Sequence, residues 1–516
     1  MTRLDLAIIF AYLLFICWQG FRFQKDYQTT DDFFLAGRTL SWPLIGFSLY
    51  ATNISISTII GLSSSGYKTG ISVFNYEWTG TIMLLLFAVF IVPFYLKHKF
   101  TTMPEFLGKR FDERSRVYFS VISIMISILI DIAGSLYASS VLLKGIFPDI
   151  ELYVFIIIMA VITGLYTISG GLRAVVITDT IQAILLTLGC AIVAVVAFQQ
   201  AGSWSEIKNT IDPQFLKLIQ PTDDPLIPWP TLIISLPILG FYFMCTNQHM
   251  VQRVLGAKSI EDGRKGAIFA GLLKIPLLFI LVIPGTLALI YYPNMENPNL
   301  IFPELIFDFI PAGVLGIILS GFIAALMSSI DSALTASSSI ATMDLYKKFK
   351  PDSSQIQLIK IGKICILAAV TLASIWAPFI NQFPTLWEYL QAALSFLCPP
   401  VVTCYLFGLF WKRATSKAAF YSLIAGSIIA AFLIINNYFF TILFPIHYLY
   451  SATIIFTISS IVMIIASLYD PEDEISPFFK TERTITKSKS LPWYNSHQFY
   501  AIVVFFITAI VVYYFW

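Results

Sequence analysis

Long apolar runs recur along the whole chain, and they constrain its fold more than any other feature. About fourteen of them reach the roughly 20 residues that an α-helix needs to cross a bilayer. They lie at 5–21, 42–66, 72–96, 117–143, 150–169, 173–199, 229–251, 266–291, 312–343, 358–380, 385–410, 418–440, 447–468 and 497–516. Only 12% of the residues are charged, against about 25% in soluble domains. The sequence therefore predicts an all-α polytopic membrane protein with about fourteen transmembrane helices.

Charge and reactive side chains exclude several other classes of protein. The net charge of +2 provides no basic surface for nucleic acid, so no nucleic-acid partner is expected. The six cysteines form no CxxC pair, and His98, His249, His447 and His497 are scattered without metal-ligand spacing. We expect neither an enzyme nor a bound cofactor, and the lipid bilayer is the surrounding medium.

The distribution of Lys and Arg between the loops predicts the orientation. Assigning alternate loops to the cytoplasm places 26 of the 32 basic residues there, in agreement with the positive-inside rule. Both termini are then extracellular or periplasmic, in a multi-pass protein of the plasma or inner membrane.

Two spans contain interruptions that suggest an internal repeat. The run 48–58 in the second span is rich in small and polar residues, and the seventh span contains Pro237 and Gly240. Transporters often place their substrate at broken helices in corresponding positions of two inverted repeats. Ordinary kinks are the alternative. The five-helix offset predicts repeats at 42–199 and 229–411, with a peripheral helix and connector at 1–41, an external loop at 200–228 and three peripheral helices at 412–516.

Ionisable residues inside the spans are a second indication of function. They are Glu77, Asp131, Asp179, Lys274 and Asp331, and each costs roughly 2.5–3.5 kcal/mol at a helix centre. Lys274 is the only basic one, and Glu77 or Asp131 is its expected partner. A structural salt bridge is the alternative to a ligand contact.

The ninth span carries a single polar stripe. Ser328, Asp331, Ser332 and Thr335 are spaced i, i+3, i+4 and i+7, so they share one helical face. Small hydroxyl residues also form packing seams in membranes. A hard cation such as sodium, however, requires several oxygen ligands, and a carboxylate in the stripe is not explained by packing.

Several motifs resemble the sodium/solute symporter family, most closely its bacterial sodium/galactose and animal sodium/glucose cotransporters. The resemblance rests on Asp32-Phe33-Phe34-Leu35-Ala36-Gly37-Arg38, Ala51-Thr52-Asn53-Ile54-Ser55, Tyr76-Glu77-Trp78, Gly170-Gly171-Leu172, Thr178-Asp179, Gln252-Arg253, Ser328-Ser329, Thr342-Met343-Asp344-Leu345-Tyr346 and Gly408-Leu409-Phe410-Trp411-Lys412. It implies a leucine-transporter-type fold, in which two inverted repeats of five helices carry additional peripheral helices. It also implies sodium-coupled import of a small polar solute by alternating access.

The resemblance implies two ion sites. Sodium would bind the carbonyls of Ala51, Ile54 and Ala325 and the hydroxyls of Ser328 and Ser329. A second ion, sodium or a proton, would bind at Asp179, Ser328, Asp331 and Ser332. The family more often has a hydroxyl residue where this chain has Asp331.

The resemblance also implies a set of solute and gate positions. The solute residues would be Asn53, Thr58, Glu77, Gly80, Gly240, Met244, Lys274 and Gln391, and the gates Leu62, Tyr76, Phe243 and Trp387. Thr58, Gly80, Gly240 and Met244 replace glutamine, serine, asparagine and tryptophan of the galactose transporter, and Phe243 replaces its inner-gate tyrosine. Lost polar contacts change specificity, so these replacements weaken the case for galactose itself, and the expected solute is a sugar, a polyol or a sugar derivative. The alternatives are a sugar acid or other organic anion, and a sensor or channel of the same fold.

Overall fold

The computed structural model describes residues 2–22, 29–147, 149–224, 226–383, 386–438, 444–470 and 493–516. The helices of the first part are α1 (Arg3–Arg22), α2 (Thr30–Leu35), α3 (Trp42–Asn53), α4 (Ile56–Thr69), α5 (Phe74–Leu86), α6 (Val92–Lys97), α7 (Met103–Arg110) and α8 (Glu113–Ile126). The next are α9 (Ala133–Ile146), α10 (Leu152–Ala201), α11 (Trp204–Thr210), α12 (Ser235–Phe241), α13 (Gln248–Leu255), α14 (Ile260–Lys274), α15 (Ile283–Tyr291) and α16 (Ile301–Phe309). The last are α17 (Val314–Ile340), α18 (Lys347–Phe349), α19 (Gln355–Trp376), α20 (Leu386–Leu397), α21 (Pro399–Phe410), α22 (Ser416–Tyr438), α23 (Tyr448–Tyr469) and α24 (His497–Tyr514).

The membrane-spanning character predicted from the apolar runs is confirmed. In the described part of the chain, 10 helices are long and apolar enough to cross a bilayer, or 11 if α20 and α21, bent by 52°, form one span. The predicted number of fourteen is not confirmed.

One predicted loop is helical. Spans 150–169 and 173–199 both belong to α10, whose backbone continues through Arg173. A straight helix of 50 residues would be about 75 Å long, more than twice the roughly 30 Å hydrocarbon layer. Of its apolar parts, Val175–Ala201 is long enough to cross the bilayer, whereas Leu152–Leu165 is a shorter apolar segment.

The break predicted in the second span is present between α3 and α4. The N–H of Ile54 donates to the Tyr50 carbonyl at 2.8 Å, and the helix ends there. The Ser55 hydroxyl then accepts the N–H of Thr58 at 3.1 Å and caps α4. The Thr58 hydroxyl donates back to the Asn53 carbonyl at 2.8 Å. Local side-chain hydrogen bonds thus compensate for the interrupted helical ladder.

The break predicted at Pro237 and Gly240 is wrong in its position. Pro237 is the third residue of α12. The N–H groups of the first helical turn have no intrahelical acceptor, so the missing N–H of a proline costs no hydrogen bond there. A Cβ on Gly240 would lie 3.1 Å from the Met83 side chain, so this glycine serves the packing of α12 against α5. The helix ends seven residues later, at Asn247, after a π-helical turn over Tyr242–Thr246.

Close contacts between helices position the residues discussed below. A Cβ on Gly266 would approach Ile45 to 2.6 Å, and one on Gly46 would approach Phe269 to 2.5 Å. These glycines let α14 pack closely on α3, as small residues do in membranes. At the start of α17, the Asp5 carboxylate of α1 accepts the N–H of Gly313 at 2.7 Å. That contact caps the helix that carries the polar stripe.

Candidate functional site

Two of the predicted carbonyl ligands of sodium lie where α3 ends, Ala51 in its last turn and Ile54 directly after it. Ala51 and Ile54 are both buried, and Ile54 belongs to neither flanking helix. The last carbonyls of a helix have no intrahelical donor, so oxygen atoms of this segment can face a ligand. Carbonyl oxygens are suitable ligands for a hard cation.

The hydroxyl half of the predicted sodium site lies on α17. Ser328 and Ser329 are buried, and Ser329 lines the same cavity as Ser55 of the break. Ala325 lies one turn earlier in α17. The structure describes its backbone but not its side chain. The fold thus brings the predicted hydroxyl and carbonyl ligands into one region.

The side chains predicted for a second ion form a buried network around Asp179. The Ser328 hydroxyl donates to Asp179 Oδ1. The Ser48 hydroxyl, which was not predicted, donates to Asp179 Oδ2 at 2.5 Å. The Ser332 hydroxyl donates to Asp331 Oδ1 at 3.3 Å. Asp179 and Asp331, the two carboxylates, are completely buried.

Arg253 lies within this network, although its charge was assigned to a cytoplasmic loop. It is completely buried on α13. Its Nε donates to the Ser48 hydroxyl at 3.0 Å, and its Nη2 is 3.5 Å from Asp179 Oδ2 and also donates to Ser332. Asp331 Oδ2 has no hydrogen-bond partner in the described structure. Asp179 therefore has a resident countercharge, whereas one oxygen of Asp331 is unsatisfied.

A cavity of about 110 Å³ adjoins the ion region. All eight predicted solute residues line it, as do three of the four predicted gate residues. The solute residues on its wall are Asn53, Thr58, Glu77, Gly80, Gly240, Met244, Lys274 and Gln391, and the gate residues are Tyr76, Phe243 and Trp387. The structure thus gathers positions that are spread over more than half of the chain.

A buried ion pair forms part of the cavity wall. Lys274 Nζ lies 2.6 Å from Glu77 Oε2, and both side chains are at most 4% exposed. Lys274 also donates to Asn53 Oδ1. A Cβ on Gly80 would be 3.3 Å from Lys274 Cε, so Gly80 gives the lysine stem its room. Of the two partners that the sequence left open for Lys274, the structure pairs it with Glu77 and not with Asp131.

Comparison with known proteins identifies the family. The sequence model of the Sodium:solute symporter family matches residues 33–426. The chain belongs to this family. It is 32% identical to sodium/glucose cotransporter 1 of Oryctolagus cuniculus over 523 residues, which cover 90% of this chain and 78% of the relative. It is 30% identical to the sodium/myo-inositol cotransporter of Mus musculus, over 94% of this chain and 76% of the relative. The symporter is thus a transporter and not an enzyme.

Solved structures show the fold of the symporter. A Na+-coupled sialic acid symporter in a substrate-bound, outward-open state has a TM-score of 0.80 at 24% identity, covering 92% of this chain and 99% of that one. A nucleobase-cation-symport-1 family transporter has a TM-score of 0.55 at 12% identity, covering 87% and 96%. The predicted leucine-transporter-type fold, with two inverted repeats of five helices and peripheral helices, is confirmed.

Two of the symporter's predicted gate residues, Tyr76 and Trp387, contact each other directly. The rings of Tyr76 and Trp387 pack edge to face, with centroids 5.5 Å apart. A Cβ on Gly61 would lie 2.6 Å from the Trp387 ring, so this glycine lets the indole rest on α4. Leu62 is completely buried on α4 and does not line the cavity. Its gate role remains a prediction.

Polar residues without a predicted site role also lie at the symporter's site. Asp131 stood out as an intramembrane carboxylate, but only as a possible partner of Lys274, and His249 was treated as one of several scattered histidines. Both line the cavity, and the His249 ring packs near the ring of Phe243. His249 and Arg253 are four residues apart on α13, so they share one helical face. The Gln252-Arg253 motif was the available signal for Arg253.

Proposed function

We propose that this symporter couples sodium entry to the import of a small polyhydroxylated solute, a sugar or a polyol. One observation carries the proposal: the cavity is lined both by Ser329 of the predicted sodium site and by the predicted solute residues. Two ligands that bind side by side can stabilise the same conformation and so favour each other's binding. The glucose and myo-inositol named for the relatives support this class of solute.

In this proposal, sodium binds the carbonyls of Ala51, Ile54 and Ala325 and the hydroxyls of Ser328 and Ser329. Neutral oxygen ligands suit a monovalent cation, because they need not supply a compensating negative charge. A cation held there would link the break after α3 to α17. The same break contributes Asn53 and Thr58 to the cavity, so sodium would fix the shape of the solute site.

The solute is proposed to bind the residues gathered in the cavity. Asn53, Gln391 and the Lys274–Glu77 pair supply both donors and acceptors, which hydroxyl groups require. Gly80, Gly240 and Met244 leave room where bulkier or more polar residues would narrow the cavity. Tyr76, Trp387, Phe243 and Leu62 are proposed as gates that open in turn as the two repeats reorient.

A second ion is proposed at Asp179, Ser328, Asp331 and Ser332. The unsatisfied Asp331 Oδ2 supports it, since a buried carboxylate oxygen without a partner is costly. Arg253 already balances Asp179, which favours Asp331 as the main ligand. Two coupled ions would give a Hill slope above one for sodium, falling towards one in Asp331→Ala. A slope near one that Asp331→Ala leaves unchanged would exclude the second ion.

The sodium gradient supplies enough free energy for uphill import. One charge moving through 100 mV yields about 2.3 kcal/mol, and a tenfold concentration ratio yields roughly 1.4 kcal/mol. Together they support on the order of 500-fold accumulation of a solute by one ion.

The orientation and the domain boundaries stand as part of the proposal. Loop charges support extracellular or periplasmic termini in a plasma or inner membrane. Arg253, which is buried beside Asp179, no longer counts as a loop residue, but the excess of Lys and Arg on the predicted cytoplasmic side persists. Labelling of single cysteines placed on the 200–228 segment, from either side of sealed vesicles, tests the orientation.

Uptake by reconstituted vesicles tests the function. Labelled glucose, galactose, myo-inositol and glucuronic acid are offered with an inward sodium jump or a matched potassium jump. We expect sodium-dependent accumulation of at least one neutral solute above its external concentration. Accumulation of glucuronic acid alone would support the organic-anion alternative. Equilibration without accumulation would indicate a channel.

A further inference from the structure

Asp131 and His249 form a second polar surface in the cavity, in addition to the Lys274–Glu77 pair. Asp131 lies in a π-helical turn over Ser127–Ile132, and His249 is the second residue of α13. His249 Nδ1 is 3.7 Å from Asp131 Oδ2, which exceeds hydrogen-bonding distance. Both side chains are more than nine-tenths buried, so the fold holds them close together and nearly enclosed.

The facing atoms of this pair have no protein partner. Both ring nitrogens of His249 and Oδ2 of Asp131 lack a hydrogen bond in the described structure. A buried polar group without a partner costs about 1–3 kcal/mol. Both side chains line the cavity proposed for the solute. A ligand in this cavity is therefore positioned to satisfy them.

We propose that Asp131 and His249 bind hydroxyl groups of the solute and, together with the Lys274–Glu77 pair, restrict the symporter to neutral polyhydroxylated solutes. This inference rests on the proposed function. A hydroxyl group both donates and accepts, so one hydroxyl or two neighbouring ones can donate to Asp131 Oδ2 and accept from the imidazole N–H. An ammonium group lacks the acceptor, and a carboxylate lacks the donor.

The other charged side chains of the cavity also disfavour anions. Among the described residues that line it, Lys274 carries the permanent positive charge, and Glu77 and Asn53 already engage its ammonium group. A solute carboxylate would have to separate the buried Lys274–Glu77 pair, which is strongly unfavourable. A neutral polyol can bind both polar surfaces without disturbing that pair.

Competition experiments on the unaltered protein test the charge selection. The probe is labelled glucose or labelled myo-inositol, whichever the vesicles accumulate with sodium. Unlabelled glucose or myo-inositol should compete at least tenfold more strongly than glucuronic acid and than glucosamine. Equal competition by glucuronic acid would overturn the inference while leaving sodium symport intact. If neither neutral solute accumulates with sodium, the proposed function fails first.

Single deoxygenation of the probe tests the contact itself. In the unaltered protein, at least one singly deoxygenated derivative should have a KM about tenfold higher than the parent. In Asp131→Ala, the parent's KM should rise about tenfold and that derivative's KM should stay unchanged. His249→Ala repeats the comparison independently should Asp131→Ala not fold. Asp149→Asn, on an exposed turn, is the control. If removing the same hydroxyl still raises KM in both Asp131→Ala and His249→Ala, the proposed contact is wrong.

Discussion

The two helix breaks of this symporter differ in their capping groups and in the side chains that they position. The first, at Ile54 and Ser55, is capped by the Ser55 hydroxyl, which accepts the N–H of Thr58. The second, at Asn247, follows a π-helical turn and is capped by an amide, since the Asn247 side chain accepts the N–H of His249 at 3.0 Å. From this second break, α13 carries His249 to the cavity and Arg253 to Asp179.

In the proposed function, this difference would let the symporter bind a transient cation beside the permanent charge of Arg253. The first break offers neutral oxygen atoms, which in the proposed function would bind sodium reversibly because no full charge on the protein must be separated on release. The second break places a permanent guanidinium in the same buried region, where it balances Asp179. In that proposal, the first break is suited to a transient ion and the second to a permanent countercharge.

The largest expected effect is at the second break. Arg253→Gln leaves Asp179 without its countercharge, and loss of one partner of a buried pair typically costs about 3–5 kcal/mol. We expect a lower melting temperature of the purified protein and little uptake at any sodium concentration. Arg413→Gln, at an exposed position, is the control. Normal stability of Arg253→Gln would show that Arg253 does not balance the network.

A smaller effect, confined to ion binding, is expected at the first break. Ser329→Ala removes one proposed sodium ligand, so the sodium concentration for half-maximal uptake should rise about tenfold. Uptake at saturating sodium should be largely retained. Ser374→Ala is the matched control, because within the described part of the chain the Ser374 hydroxyl bonds inside α19, to the Val370 carbonyl at 2.7 Å. An unchanged sodium requirement in Ser329→Ala would exclude Ser329 as a ligand.

The two caps allow a direct comparison. Ser55→Ala and Asn247→Ala each remove an N-cap, which costs about 1 kcal/mol. We expect Ser55→Ala to raise the sodium requirement several-fold and Asn247→Ala to raise the solute KM instead. Both are measured as initial rates over sodium and solute titrations. Identical shifts in the two variants would contradict the division of roles between the breaks.

The smallest effect is expected at the aromatic gate. The Tyr76 hydroxyl is 3.4 Å from the Tyr448 hydroxyl on α23, a long hydrogen bond between the gate and a peripheral helix. Tyr448→Phe removes it and keeps the ring, so we expect about a twofold change in solute KM. The sodium requirement should not change. An effect larger than that of Ser55→Ala would mean that the peripheral helix controls the gate.

Local patterns predicted much of the site because they depend on neighbours in sequence. The polar run 48–58 predicted the first break, and helical periodicity predicted that Ser328 and Ser332 share a face. The second break was placed at Pro237 because a proline is a strong local signal. In the structure this proline lies in the first turn of a helix, where it is well tolerated, and the break depends on Asn247, an ordinary residue in sequence terms.

The sequence by itself determined that this is a polytopic helical membrane protein and where its intramembrane polar residues lie, because the bilayer imposes length and hydrophobicity on every span. Resemblance added the family, which comparison with known proteins confirmed. Only the tertiary structure decided which buried charges pair, because pairing depends on how helices distant in sequence rotate and pack. In the structure Lys274 pairs with Glu77, and Arg253, which was expected in a loop, pairs with Asp179. Asp131 lies beside His249 on the cavity wall.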